Sequence, residues 1–557
     1  MMLKRVALVV WLIPLVAGAE DAPPPQQPAQ QQQQQPPPQQ QQPYPYGYQP
    51  QQQYPYGYQP PQQYPYGYQP PQQQPQPPYP RNEPQPYGLP ASPPVRLPRL
   101  ALPARNEAAV TATWACADAL DHLRPDVARI RCGEALAKDD AIAFTHLLLS
   151  MAQAPELARN ELGRALELER YASNGERLFI EAWRAQVDGR LADARRLHDQ
   201  LVQALPGEPR AFVQHGRFHQ LVLGDLDGAV ADFHHAAELD PKYAASYGYL
   251  AGALAERGQL DDALQAAKKY LELAPGEPAA HLSIARTALR RGELSDAIAA
   301  AKKAAAGDEK FAQAHATLGD ALLFSGRGKD ARKEYGLLIG TDDPAVHHQG
   351  SMREARSWIF EGRQGEAEKS LAAEADLAQK TKRPGDEADA RVELGRVQLD
   401  RGAVSEAGQM VRQAFEVLQN KDLQPSMSDD ERRRLTGEAL QVRAMVLAAV
   451  GERALAEQRA DEMGLALRIA GDPRAAEKTT ALRGWIAARN RDDKTALVDL
   501  AVASRPTLRM ALALAATRSG DPARAKTIME ELSKRAENDL EGALTRPRAI
   551  AWLKTQK

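Results

Sequence analysis

From Asn106 to the end of the chain, apolar side chains recur with helical spacing in stretches of about 12 to 15 residues, and Gly or Pro marks the breaks between them. Runs rich in strand-forming residues are absent. Ala, Leu, Glu and Arg dominate the stretches, and all four are good helix formers. The pattern predicts an all-α fold of short helical hairpins over residues 105–557. One hairpin cannot bury its apolar face alone, so each needs a neighbour on either side.

The breaks are periodic. Gly224, Gly258, Gly292 and Gly326 step by 34 residues, as do Ala229, Ala263, Ala297 and Ala331, while Gly189 and Ala194 lie 35 residues before the first of each set. Gly362/Ala367, Gly402/Ala407, Gly451/Ala456 and Gly520/Ala525 continue the pairing at looser spacing. Gly258 suits the left-handed turn that ends a helix. Leu260 then plugs the corner, Asp261 is placed to cap the following helix, and Ala263 is small enough to let two helices approach closely. Pro241 and Pro275 close their repeats, because proline cannot continue a helix interior.

A two-helix unit of 34 residues has the period of the tetratricopeptide repeat. Residues 244–277 resemble it position by position: Tyr247, Leu250-Ala251, Leu254, Gly258, Ala263 and Pro275 stand where the family has its aromatic, Leu-Gly, Tyr, Gly, Ala and Pro. Leu318-Gly319, Gly326, Ala331 and Tyr335 repeat the match. The resemblance implies a helical-hairpin solenoid, or superhelix, with a core continuous along the array. It divides the helical part into irregular capping hairpins at 105–172, well-matched repeats at 173–340 and degenerate repeats at 341–557.

Residues before 105 carry no such pattern. Met1–Arg5 is short and cationic, Val6–Val16 is apolar, and Ala17-Gly18-Ala19 is the small-residue end of a secretory signal peptide, so cleavage is expected after Ala19. As a helix, Val6–Ala19 would span only about 21 Å of a hydrocarbon core about 30 Å thick. The mature protein is therefore expected to be exported to a periplasm, with surface association as a further possibility. Residues 20–104 read as a Pro/Gln/Tyr/Gly-rich linker. From Ala22 to Pro80 there is no Asp, Glu, Lys or Arg, and little aliphatic surface to offset an ordering cost of about 1 to 2 kcal/mol per residue, so disorder is expected. Tyr-Pro-Tyr-Gly-Tyr-Gln-Pro begins at Tyr44, Tyr54 and Tyr64. Two readings stand: a spacer, or a set of aromatic contacts for a partner, a glycan or another copy of the tail.

Charge and motif content narrow the function. Lys plus Arg is 70 against 72 for Asp plus Glu, a net charge of -2, which gives no basic excess for nucleic acid. No apolar run reaches the ~20 residues of a membrane-spanning helix. Two cysteines cannot make a four-thiolate metal centre. No phosphate loop, nucleophile elbow or paired-carboxylate arrangement stands out, so an enzyme is not expected and no catalytic, cofactor-binding or metal residue is assigned. His215-Gly-Arg-Phe-His219 has a spacing that puts two rings on one helix face, with His234-His235 on the next helix. The carboxylate of His-Glu-x-x-His is missing, however, so these rings read as structural. His347-His348 reads as a solvated loop doublet. Cys116 and Cys132 each lie eight residues from Arg124, in the turn Leu123-Arg124-Pro125. An antiparallel hairpin would bring them level, and export favours a disulfide over two buried thiols.

Proteins that resemble this family hold a peptide or helix along the inner surface of the superhelix. The corresponding columns are Gly248, Leu282 and Ala316; Gly252, Arg286 and Asp320; and Glu256, Arg290 and Phe324. Arg286 and Arg290 are candidates to meet an acidic side chain or a C-terminal carboxylate, with Asp320 and Phe324 beside them. The alternative is a solvated face carrying an Arg286–Asp320 ion pair. The Lys and Asn set of the carboxylate-clamp subfamily is absent. Phe179 and Trp183 form a further aromatic pair that suits either recognition or the core. The expected function is a non-catalytic scaffold or adaptor, without cofactor, that binds envelope proteins on its concave face. Secretion, polysaccharide export, outer-membrane assembly and gliding motility are the systems in view. The alternative is a cell-surface or matrix protein acting through its tail.

Overall fold

The computed structural model describes residues 97–556, apart from 154, 424–425, 470–471 and 537. The expected signal peptide, and the linker as far as residue 96, lie outside the described residues. Among these there is no strand: twelve antiparallel helical hairpins, from Glu107–Asp121 with Pro125–Leu136 to Pro506–Arg518 with Pro522–Lys534, precede a last helix, Leu540–Thr555. No helix among the described residues is long and apolar enough to cross a membrane.

The periodic residues do the work their spacing implies. Every glycine with positive φ is one of the nine turn glycines, from Gly189 (φ 63) to Gly520 (φ 82). Their partners, from Ala194 and Ala229 to Ala456 and Ala525, are wholly buried where the helices cross. The looser spacing after residue 341 reflects longer helices. Pro344–Phe360 and Gln364–Lys380 have 17 residues each and Asp429–Ala449 has 21, against 14 each in Ala244–Arg257 and Leu260–Leu273. Three hairpins escape a glycine-based reading: Leu123 (φ 60) and Arg491 (φ 62) take the left-handed turn themselves in two of them, and in the third, Ala143–Ala152 with Pro155–Leu168, the first helix ends at Gln153 in extended backbone.

Two local expectations change. Asp261 does not cap its helix: Gln259 occupies the N-cap without a side-chain bond. Asp261 lies within the first turn, where a carboxylate is still favoured by the exposed N–H groups, and pairs with Arg291 of the next repeat. The linker, expected to be disordered to 104, is docked over its last residues. Leu100 is buried and its N–H donates to Glu208 Oε2 at 3.2 Å, while Gly207 N–H donates to the Pro98 carbonyl at 2.9 Å. Leu97, Leu100 and Leu102 supply the apolar surface that the Gln/Pro/Tyr segment lacks.

Within the core, one column trades volume between facing helices. Gly216 faces Phe233 and Gly319 faces Tyr335, whereas the two intervening repeats place Ala251 and Ala267, then Ala285 and Ala301, at the same positions. A Cβ at Gly319 would lie 2.3 Å from Tyr335 Cε1. That ring is wholly buried and its hydroxyl is tied to Asp320, so it cannot swing aside. Gly319→Ala is expected to lower stability by a net of about 1 to 2 kcal/mol, overpacking exceeding the helix-propensity gain. Gly252→Ala, whose Cβ would meet nothing within 4 Å, should be neutral or stabilising. Urea midpoints of the two variants check the register, and equal midpoints would refute it.

The repeats coil far enough for distant ones to touch. Asp121, at the end of the first helix, accepts from Arg210 Nε at 2.9 Å and from the Tyr243 hydroxyl at 2.7 Å, and the His122 ring stacks on Tyr270. Near the other end, Asn538 Nδ2 donates to Asp320 Oδ1 at 2.9 Å.

Candidate functional site

Inner-face positions from successive repeats share one cavity of about 480 Å³. Gly248, Gly252 and Glu256, then Leu282, Arg286 and Arg290, then Asp320 line it. Its wall is completed by segments that a repeat-by-repeat reading does not reach: Asp121 and Leu123 of the first hairpin, Arg353 of the eighth, and Ala536, Asn538 and Asp539 just before the last helix.

The anticipated Arg286–Asp320 ion pair is not the arrangement found. Arg286 donates through Nη2 to Gln313 Oε1 at 2.8 Å. Asp320 is buried and accepts from the Tyr335 hydroxyl and from Asn538, both at 2.9 Å, with Arg353 Nε 3.5 Å away. Arg286 is solvent-accessible, yet the surrounding wall and the Arg353 guanidinium push it down to about 10. It stays charged at neutral pH, and an incoming carboxylate would relieve the positive field. The buried Tyr249 hydroxyl on the same wall has no hydrogen-bond partner among the described residues, and Arg217 lies over its ring.

Three aromatic candidates belong to the core instead. Phe324 is 8% exposed and meets Phe360 edge-on at 5.3 Å. Phe179 is 4% exposed and meets Phe144 at 5.3 Å, and Trp183 packs half-buried on the same cluster. For all three, the apolar ring is worth more against neighbouring helices than in water, and nothing in the i, i+4 spacing distinguishes the two uses. Cys116 and Cys132 are joined across the first hairpin, with Cα atoms 5.2 Å apart.

The six histidines singled out by the sequence fall into three pairs. His234 and His235 are exposed, with side chains 62% and 45% accessible. His347 and His348 are not a loop doublet, since they lie within the helix Pro344–Phe360. His348 Nδ1 bonds Glu374 Oε1 at 2.9 Å and its Nε2 bonds Asp389 Oδ2 at 3.3 Å, with Arg383 closing the network on Glu374. Polar partners from the next two helices thus replace solvent. His215 and His219 face the partner helix Leu226–Leu239, where Asp232 meets them. The carboxylate missing from their own helix comes from the antiparallel neighbour, a pairing that spacing along one helix does not reveal.

Residues 223–287 and 282–345 match family models described as tetratricopeptide repeats. No curated protein matches the sequence. Similar solved structures include MamA, from residue 41 to its end, of Desulfovibrio magneticus RS-1, 20% identical, covering 30% of this chain and 97% of that one with a TM-score of 0.26. A thermophilic tetratricopeptide-repeat protein of Thermus thermophilus is 19% identical over 34% of this chain and 99% of that one, TM-score 0.29. PilW, a type IV pilus biogenesis factor, is 18% identical over 42% of this chain and 94% of that one, TM-score 0.26.

Proposed function

This chain belongs to the tetratricopeptide-repeat family, with its matched repeats at residues 223–345, and on that premise we propose that it is a non-catalytic scaffold of a bacterial envelope assembly. It is exported, loses its signal peptide after Ala19 and works in the periplasm, whose oxidants suit the Cys116–Cys132 pair. It binds an acidic or C-terminal segment of an envelope protein in the inner-face cavity.

The observation that carries this reading is the convergence on one cavity wall of Arg286, Arg290 and the Tyr249 hydroxyl, which has no hydrogen-bond partner among the described residues. A volume of about 480 Å³ takes a few side chains of an extended segment rather than a whole helix. Such a segment offers carboxylate oxygens to fixed donors, and charge-assisted bonds of this kind are the strong ones. Segments at both ends of the array close over the same space, so the partner's end, not its middle, is the part that fits.

The test is capture of the partner from the native envelope by mature protein. Reversing Arg286 and Arg290 to Glu should abolish capture with the helical circular-dichroism signal intact, while deleting residues 20–80 should weaken it only modestly. Capture lost on tail deletion and untouched by charge reversal would replace this reading with that of a surface or matrix protein acting through its tail.

A further inference from the structure

We propose that His215, His219, Asp225 and Asp232 form a binding site for a divalent transition metal of borderline softness, Zn²⁺ foremost, within the fourth hairpin. His215 lies in the helix Pro209–Phe218, and His219 opens the five-residue π-helical segment His219–Leu223 that follows it. Such widened turns recur at functional sites because they shift side chains out of the α-helical register. Asp225 caps the next helix, Leu226–Leu239, which carries Asp232 about two turns further along the same side.

Three residues converge here: His215, His219 and Asp232 each bring a donor atom within 4.8 Å of the others. His215 Nδ1, His219 Nδ1 and Asp232 Oδ2 are shielded from solvent, and their contacts among the described residues are ion-pair approaches within the cluster itself rather than well-aligned hydrogen bonds. Buried nitrogen and carboxylate atoms left this way are costly unless something else occupies their lone pairs. His215 Nδ1 stands 3.0 Å from Asp232 Oδ2, His219 Nδ1 stands 3.8 Å from it, and His219 Nδ1 stands 3.3 Å from Asp225 Oδ2. In a tetrahedral zinc site with bonds of about 2.05 Å, neighbouring donors stand about 3.3 Å apart. The observed spacings bracket that value before any ion draws the ligands in.

The surroundings support the same assignment. His215 Nε2 faces Asp199 Oδ1 at 3.1 Å. With an ion bound, a carboxylate on the far nitrogen would hold the ring in the tautomer that gives Nδ1 to the metal, the outer-shell arrangement typical of metal-bound histidine. Asp225 uses Oδ1 to accept the Gly228 N–H at 3.0 Å and keeps Oδ2 for the site. Gly228 makes room for the donors, because a Cβ there would lie 1.9 Å from His219 Nδ1. The His348 cluster meets the same spacing criterion, but it already holds a cation: Arg383 sits on Glu374, and both ring nitrogens make hydrogen bonds to Glu374 and Asp389. Two histidine nitrogens and two carboxylate oxygens suit zinc better than magnesium or calcium, which favour all-oxygen shells. A bound ion would clamp the two helices of this hairpin together, and the first of them sends Arg217 and the π segment sends Gln220 to the cavity wall.

The experiment uses the mature full chain, stripped with a chelator and titrated with Zn²⁺ against a chromophoric competitor. Expected is one high-affinity Zn²⁺ per chain, lost in His219→Ala and in Asp232→Asn and weakened about 10- to 100-fold in Asp199→Asn, with His234→Ala and His235→Ala unchanged. Substitution of the wild type with Co²⁺ reads the geometry without any mutation, and the intense visible absorption of a tetrahedral site is expected. A wild type that takes up no stoichiometric Zn²⁺, a Co²⁺ form with only the weak spectrum of the hydrated ion, or full binding in a His215→Gln/His219→Gln variant would each overturn the proposal.

Discussion

Replacing Glu541 by Ala is expected to destabilise the docked C-terminal helix, Leu540–Thr555, by about 3 to 5 kcal/mol, the range for breaking a buried ion pair from one side. Glu541 is 8% exposed and stands at the first turn of that helix. Its Oε1 meets Arg396 Nη1 at 3.1 Å and Arg505 Nη2 at 2.9 Å, and its Oε2 accepts the Thr507 N–H at 2.9 Å. Burial pushes its carboxyl up, yet Arg505, Arg396 and Thr507 together hold it below the usual carboxylate range. Arg396 is equally buried, and its Nε already lacks a partner among the described residues. Without Glu541 that charge is left uncompensated, which is the costly half of the change. Glu541→Gln keeps an acceptor for Thr507 and should cost less. Hydrogen exchange of residues 540–555 is the direct readout, and protection unchanged in Glu541→Ala would mean that the pair does not anchor the helix.

The second large effect depends on pH. Burial disfavours the charged form of His348, but Asp389, Glu374 and Asp386 outweigh it and raise the imidazole to about 10. A group raised in the folded state contributes stability that is complete below its unfolded value near 6.5 and is lost as pH rises through the folded one. The wild type should therefore lose about 2 to 4 kcal/mol relative to His348→Gln between pH 6.5 and 10. On the acid side the sign reverses. Burial opposes the Glu374 carboxylate, but His348, Ser351 and Arg383 hold it at about 2, so its contribution is present above about 4.5 and fades as pH falls toward 2. Urea midpoints of the wild type and His348→Gln at pH 6 and 10 check the basic window. A constant difference between them across that range would show that His348 is neutral in the fold.

Much of the fold was legible because its determinants are local. Gly258 and its eight counterparts adopt positive φ because the turn itself demands a residue without Cβ, and Ala263 is wholly buried because the crossing it serves lies five residues further along the same hairpin. The hairpin at Arg491 was illegible for the same reason: a residue with a side chain occupies the turn, so the punctuation is missing. The one at Leu123, which also lacks a turn glycine, was legible from Pro125 and the paired spacing of Cys116 and Cys132 instead. The inner-face columns were legible as a list, since equivalent positions in stacked repeats point the same way. Their chemistry was not. Phe324 fell to the core because Phe360 of the next hairpin reaches it, and Asp320 was taken by Tyr335 and Asn538 rather than by Arg286.

The amino-acid sequence by itself determined the helical hairpins, their 34-residue register and the positions of the inner columns, because each depends on contacts within one repeat or between adjacent ones. Only the tertiary structure decided that Asp121, Arg353 and Asn538 share a cavity with Arg286, and that Asp232 completes a set of donors with His215 and His219. The small rotation between neighbouring repeats accumulates along a solenoid. Over a few repeats it brings together side chains far apart in the chain, and no local pattern encodes where that sum will end. Asp232 is a closer case of the same kind, since it reaches His215 across an antiparallel turn whose π-helical widening has no counterpart in the repeat pattern.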